Sequence, residues 1–250
     1  WDNTNLQIRS SAKSNRFPSI SLLYLNIGNV SRTPSMDEVI NNGLRILNQK
    51  SKLFPEQNSI FEFGFTFDGQ KIKKPKSFKT DFSLFNHNYT NKIKRILLSG
   101  TSLSYAVNAG NISSYGYNLK LLFYPKWNWV HFETMLSGYS TPDYSFFPSH
   151  PPIMLNHHTH IKTKYFNILI KMRAEGKKYI SIKDASGLIQ DVELQQANYV
   201  DILLYKNLNY KIFNFSFSLN AENLQSKKLF IDDVNLFNNR YSVKIHLTIM

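Results

Sequence analysis

Midway through the stretch Tyr210 to Leu224, YKIFNFSFSLNAENL, apolar and polar positions alternate without a break. Phe213, Phe215, Phe217 and Leu219 take turns with Asn214, Ser216, Ser218 and Asn220. An extended backbone turns successive side chains to opposite faces, so this pattern predicts a strand with one greasy face and one wet face. Three aromatics opposed to an unbroken Asn/Ser row give the contrast that a barrel wall needs between lipid and water. The rhythm recurs at Ile60 to Phe67, where Phe61, Phe63, Phe65 and Phe67 oppose Glu62, Gly64 and Thr66, and Asp68-Gly69 then marks a tight turn.

Taken in order, the chain starts with a polar stretch in which Leu6 and Ile8 alternate, as in the tail of a strand. Ile20 to Val30 is a strand, and Ser31 to Glu56, which lacks period-two alternation, is a long loop with a helical look at Val39 to Leu47. Phe78 to Asn88 is a less regular strand, and Tyr89 to Gly100 is basic and loop-like. A strand ending near Tyr124 and one from Val130 to Leu136 flank a short turn bracketed by Trp127 and Trp129, aromatics suited to a membrane-interface girdle. After the aromatic, proline-rich loop Tyr139 to Pro152 come five strands: Ile153 to Thr163, Asn167 to Ser181, Glu193 to Lys206, Tyr210 to Asn220 and Arg240 to Met250. Short turns alternate with long loops, the layout of an outer-membrane barrel, which places segments 31 to 57, 140 to 152, 183 to 192 and 225 to 239 on the outer side. The expected fold is all-β: an antiparallel transmembrane β-barrel wall of about ten strands.

Composition changes this picture little. The 250 residues form one unit, 1–250, with no linker-like tract, and the start at Trp1 without a leader suggests a C-terminal portion of a longer protein. Cysteine is absent, which removes disulfides and thiolate metal sites. The net charge of +13 raises nucleic acid as a partner, but the lysines cluster at turns, as at Lys71, Lys73, Lys74, Lys76 and Lys79, and no helix or motif organises them, so none is expected. The basic balance leans instead towards an anionic cargo. With no apolar run of ~18 residues a helical span is excluded, and the mean hydropathy of −0.33 suits a wall that is half polar by construction.

Five segments together resemble the C-terminal part of TonB-dependent outer-membrane receptors. Ser31-Arg32-Thr33-Pro34-Ser35 with Glu38 is similar to that family's "FRAPS..EL", Leu53-Phe54-Pro55-Glu56 to its "LKPE", and Phe61-Glu62-Phe63-Gly64 to its "YELG". Asn108 to Gly110 with Tyr115-Gly116 is similar to "N.G....G.E", and Ala221 to Lys228 to "NNLFDKKY". Order and spacing agree, and the likeness runs over nearly the whole chain. It departs at Asn118, where the family usually has Glu, at Gln225, where it has Phe, and at Met250, where a terminal aromatic helps the barrel-assembly machinery recognise the chain. The resemblance implies a piece of an about 22-stranded barrel in the outer membrane of a Gram-negative cell. It further implies import of a scarce siderophore-, cofactor- or glycan-like ligand. A TonB-type periplasmic protein would drive it through a plug domain and TonB box that lie N-terminal to this span. Two alternatives stand: a passive or plugless outer-membrane barrel, and a soluble all-β binding module at a cell surface.

No G-x-S-x-G elbow, H-E-x-x-H or glycine-rich phosphate loop occurs, so no catalytic residues, no cofactor and no enzyme activity are expected. His158 and His160 share a face of a strand, with His157 and His150 nearby. Lacking a carboxylate or third ligand close in sequence, they are expected to be polar wall positions rather than a metal site. Glu62, Lys120, Glu133, Lys171 and Asp201 alternate with apolar neighbours and are expected to face the lumen and pair with one another or with water. The candidate ligand contacts are Tyr144, Phe146, Phe147 and His150 of the aromatic loop, since exposed rings stack on sugars and flat chelates.

Overall fold

The computed structural model describes residues 6–12, 20–36, 38–39, 53–68, 77–101, 104–127, 129–148, 150–210, 213–225, 230–231, 234–235 and 239–249. Its strands are β1 (Leu6–Ala12), β2 (Ile20–Arg32), β3 (Glu56–Asp68), β4 (Ser77–Thr90), β5 (Ile93–Leu98), β6 (Ser104–Asn108), β7 (Ile112–Tyr124), β8 (Val130–Ser140) and β9 (Ile153–Lys162). They continue as β10 (Asn167–Glu175), β11 (Lys178–Lys183), β12 (Ile189–Leu194), β13 (Ala197–Tyr210), β14 (Phe213–Glu222), β15 (Phe230–Ile231), β16 (Val234–Asn235) and β17 (Arg240–Ile249). Eleven of them form one sheet in the order β1-β2-β3-β4-β7-β8-β9-β10-β13-β14-β17, and every neighbouring pair is antiparallel. Once the intervening small strands are set aside, wall order is chain order, the meander expected of an up-and-down barrel wall.

Register fixes the two faces. Phe63 pairs with Leu25 and Leu84, Leu119 with Phe82 and Leu136, and Phe215 with Leu208 and Leu247, so one face carries the large apolar side chains. Gly64 pairs with Tyr24 and Ser83, Lys171 with His158 and Asp201, and Ser218 with Tyr205 and Lys244, so the other face is polar. The rings do not meet across a second sheet, as a sandwich requires: Phe61 is 50% exposed, Phe63 43%, Phe213 40% and Phe215 37%. Along the polar face Lys120 pairs with Glu133 at 2.6 Å, Tyr24 donates to Glu62 at 3.1 Å, and Asp201 accepts the Asn223 N–H at 2.8 Å, as the alternation at these positions predicts. Among the described residues the end strands β1 and β17 each pair on one side only, so the wall is open: a partial barrel rather than a small closed one.

Connections sort by end. The segments joining β3 to β4, β7 to β8, β9 to β10 and β13 to β14 share the short-turn end, where Trp127 and Trp129 stack at 6.0 Å and stay exposed. Every long connection lies at the opposite end, including residues 91–111, which alternation did not single out. There β5, β6, β11 and β12 build a second, four-stranded sheet in the order β12-β11-β5-β6, with β5 parallel to β11. The basic stretch Tyr89 to Gly100 is therefore the end of β4 plus β5, not a loop. Charge hid the strand: Lys94 and Arg95 interrupt IKRILL, yet Ile93 and Ile96 are buried, and Ile96 packs at the parallel seam with Ser181. In the same way Asn167 to Ser181 is two strands, β10 and β11, broken at Gly176 and Lys177, and the predicted loop 183 to 192 contains most of β12. The predicted Asp68-Gly69 turn and the helical look of Val39 to Leu47 fall largely outside the described residues.

Candidate functional site

Three separate stretches meet where the wall joins the small sheet. Arg32 ends β2 and reaches two carboxylates, donating to Glu38 at 3.1 and 3.2 Å and to Glu56 at 3.3 Å. Glu38 is held by a reciprocal cap: it accepts the Ser35 N–H at 2.8 Å, and its own N–H meets Ser35 Oγ at 3.4 Å, the S-x-x-E geometry that starts a helical turn. Burial opposes its charge, but the Ser35 N–H and the Arg32 guanidinium prevail and hold its carboxyl below the usual range. Glu56 is buried and fully used, accepting Lys92 Nζ at 3.0 Å and the Ile93 N–H at 2.9 Å as well as Arg32. Asn108 completes the junction by accepting the Phe54 N–H at 2.7 Å and donating to the Phe54 and Asn91 carbonyls at 3.0 and 2.8 Å. Two residues on, Gly110 adopts φ +108°, which side chains rarely tolerate, so that its carbonyl accepts the Lys92 N–H at 2.8 Å. Leu53, Ile93 and Ala106 form a small apolar core beneath.

The aromatic loop packs onto this junction. Asp143 caps a single 3-10 turn, Tyr144–Phe146, by accepting the Ser145 N–H at 2.8 Å. Tyr144 stacks on Tyr179 of β11 at 5.6 Å, and Phe147 meets Tyr89 and Tyr139 edge-on at 5.5 Å each. Lys92 lies over the Tyr89 and Phe147 rings, while Lys94 lies over Phe146 and donates to Ser145 Oγ at 3.0 Å. The predicted contacts Tyr144, Phe146 and Phe147 are thus half-buried, and of the four only His150 is exposed. Below the loop, on the polar face, Phe85, Asn118, Tyr139, His150, Met154 and Arg173 line a concavity of about 440 Å³. Tyr139 Oη fixes its rim by donating to the His150 carbonyl at 3.0 Å. At its edge the buried carboxylate of Glu175 pairs with Arg173 and Lys178.

The histidines divide as alternation demands. His157 turns to the apolar face, between Thr134 Oγ1 at 2.8 Å and Thr159 Oγ1 at 3.0 Å. His158 and His160 take the polar face, and there the pairing of β8 with β9 sets Glu133 opposite His158 and His131 opposite His160. A carboxylate remote in sequence is therefore adjacent in space, which the spacing of the histidines alone did not disclose.

Against known proteins, the family model "TonB dependent receptor-like, beta-barrel" matches residues 14–224. No curated protein sequence matches the chain. Among solved structures, the FrpB iron transporter from Neisseria meningitidis (F3-3 variant) superposes with a TM-score of 0.61 at 15% identity, over 97% of this chain and 38% of that one. The copper transporter OprC gives 0.64 at 12% identity, over 96% and 38%. The ferripyoverdine receptor of the outer membrane of Pseudomonas aeruginosa, bound to ferripyoverdine, gives 0.52 at 12% identity, over 90% and 30%. At such identities the likeness is one of fold, and this chain spans 30 to 38% of the length of those structures.

Proposed function

The chain belongs to the TonB-dependent receptor-like β-barrel family, and we propose that it forms part of the barrel of an outer-membrane receptor that captures a scarce ligand outside the cell and imports it with TonB-type energy coupling. One observation carries this reading: a single sheet whose large apolar side chains stand exposed on one face and whose other face is mainly polar and holds the Lys120–Glu133 and Arg173–Glu175 pairs, with all long connections at one end. In a bilayer the apolar face meets lipid, the polar face lines the lumen, and the long connections lie outside. This reading calls for a plug and a TonB-engaging segment elsewhere in the complete protein.

Ligand capture falls to the long-loop end. The half-buried rings of Tyr144, Phe146 and Phe147 make the loop rigid, and they hold exposed His150 at the mouth of the concavity with Arg173 inside. A preorganised mouth loses little entropy on binding, and a cation there suits an anionic ligand such as a ferric chelate. The names of the similar structures, an iron transporter, a copper transporter and a ferripyoverdine receptor, agree with transport rather than catalysis.

The test is uptake. Cells carrying the complete gene should accumulate at least one of a labelled ferric chelate, an organometallic cofactor and an oligosaccharide. A protonophore should stop that accumulation but leave surface binding intact, and deletion of the gene should remove both. Accumulation that is indifferent to the protonophore would instead identify a passive barrel.

A further inference from the structure

On the polar face of β8 and β9, well away from the loop mouth, the geometry points to a binding site for one divalent transition-metal ion of the zinc class, held by Glu133, His158 and His160. Each offers a donor atom, and the three donors lie within 4.8 Å of one another. The face comes from two elementary facts. His158 and His160, two apart on a strand, point the same way. Glu133 is the direct antiparallel partner of His158, where side chains stand closest.

Glu133 uses its two oxygens differently. Oε1 is bound by Lys120 Nζ at 2.6 Å. Oε2 faces His158 Nδ1 at 3.9 Å, too far for a hydrogen bond. Two donors each ~2.0–2.1 Å from a tetrahedral ion lie ~3.3 Å apart, so a small side-chain rotation brings Oε2 and Nδ1 to bridging distance. The second imidazole is steadied from behind. His131, across from His160, stacks on it at 4.2 Å and 10°, and on Tyr124 at 5.6 Å, which fixes the plane of the His160 ring.

The donor set decides the class of ion. Two neutral imidazoles and one carboxylate suit Zn²⁺, Cu²⁺ or Ni²⁺, while the hard Ca²⁺ and Mg²⁺ ask for six or more oxygens. Three protein ligands leave a fourth position open, and all three residues are part-exposed, so an ion can enter and exchange from the water side. One cluster of three donors among the described residues gives a stoichiometry of one, and because Lys120 on one flank and Lys171, paired across from His158, on the other repel any cation, binding leans on the two imidazoles. The site stands whether or not the barrel imports its ligand, because it rests on the wall alone.

Titration of the complete detergent-purified protein with Co²⁺, then with Zn²⁺ as competitor, tests this. The expected result is one Co²⁺ per chain with the intense visible bands of a four- or five-coordinate site, displaced by Zn²⁺ and not by Mg²⁺. X-ray absorption of the zinc form should show about two imidazoles and an oxygen at ~2.0–2.1 Å. The variant H158Q/H160Q should lose the bands, and E133Q should weaken binding by at least tenfold. H246Q, on β17 at the edge of the wall, should keep them. Absence of binding in the wild type, binding without imidazole ligation, or bands lost in H246Q and kept in H158Q/H160Q would overturn the inference. Should a wall variant not assemble, the wild-type stoichiometry and absorption spectrum decide alone.

Discussion

At the scale of single residues, burial separates partners that look equivalent in a list of ion pairs. The Glu56 side chain is 7% exposed and serves three donors, whereas that of Arg32 is 44% exposed and keeps much of its hydration. Removing the carboxylate strands Lys92 and the Ile93 N–H, so Glu56→Ala should cost about 3–5 kcal/mol, whereas Arg32→Met leaves Glu56 its Lys92 and Ile93 partners and Glu38 the Ser35 N–H and should cost about 1–2 kcal/mol. Thermal unfolding of the two variants in detergent checks the order, and a larger loss from Arg32→Met would contradict it. Glu38 adds a pH dependence. Its carboxyl is depressed in the folded state, so the unfolded chain binds the extra proton and stability rises with pH across that range. The contribution is fully present above the ordinary value of ~4.3 and is lost as pH falls through the lower folded value. Protection of the Thr33, Ser35 and Met36 amides, taken relative to intrinsic exchange at each pH, should fall in the wild type as pH drops below the ordinary glutamate value and be low at every pH in Glu38→Gln. Gly64 is a different case. A Cβ built there meets the Tyr24 ring at 2.5 Å, so Gly64→Ala should cost about 1–3 kcal/mol, most of it recovered when Tyr24→Ala removes the ring. Alternation marked Gly64 as a polar-face position, but the tyrosine that covers it comes from another strand, and no local pattern reports that.

At the scale of elements, what could be read from the sequence was whatever period two controls. The strands of the wall, including the weakly marked Leu6 to Ala12, follow from alternation because an extended chain in a single sheet sends successive side chains to opposite faces. Strands β5 and β12 escaped because the small sheet buries residues against neighbours at one end of the wall rather than along a face. Ile93 and Ile96 are buried three positions apart, and all of Ile189 to Glu193 is exposed. The three polar segments that meet at Glu56 were visible as motifs, yet their shared purpose was not, since Arg32, Glu56, Lys92 and Asn108 converge only through wall register. The seam between β5 and β11 is three residue pairs long, Ile96 with Ser181 to Leu98 with Lys183, and Ser99 N–H donates to the Lys183 carbonyl at 2.9 Å beyond it. Substituting Leu97 by proline removes a backbone donor and fixes φ inside that short strand, at a cost of about 3 kcal/mol or more. Because the seam joins insertions and not wall strands, the variant should still assemble in the membrane while protease cuts between residues 91 and 111. A variant that failed to assemble would show instead that the small sheet belongs to the folding core.

At the scale of the whole molecule, the apolar face and the open edges make one demand together. Phe215 stands exposed on the apolar face opposite Leu208 and Leu247, and if that face meets the bilayer midplane then Phe215→Arg should cost about 2–4 kcal/mol. The edges are more telling. Strand β17 pairs with β14 alone and β1 with β2 alone among the described residues, which leaves a row of backbone N–H and C=O groups along each. In lipid no water is at hand to satisfy them, and each unmet group costs several kcal/mol. An apolar face fit for lipid and an edge unfit for it are compatible only if further strands continue the sheet, in the same protein or in a partner chain. We therefore expect that in the complete, detergent-embedded protein both alternating rows of β17 amides exchange slowly, whereas in residues 1–250 alone only the row paired with β14 does. If one row of β17 exchanged freely in the complete protein, the sheet would end there. If cysteines introduced at Val243 of β17 and Ile8 of β1, the two edge strands, formed a disulfide, a clean test in a chain without cysteine, the wall would close on itself and the smaller, passive barrel would be the right description.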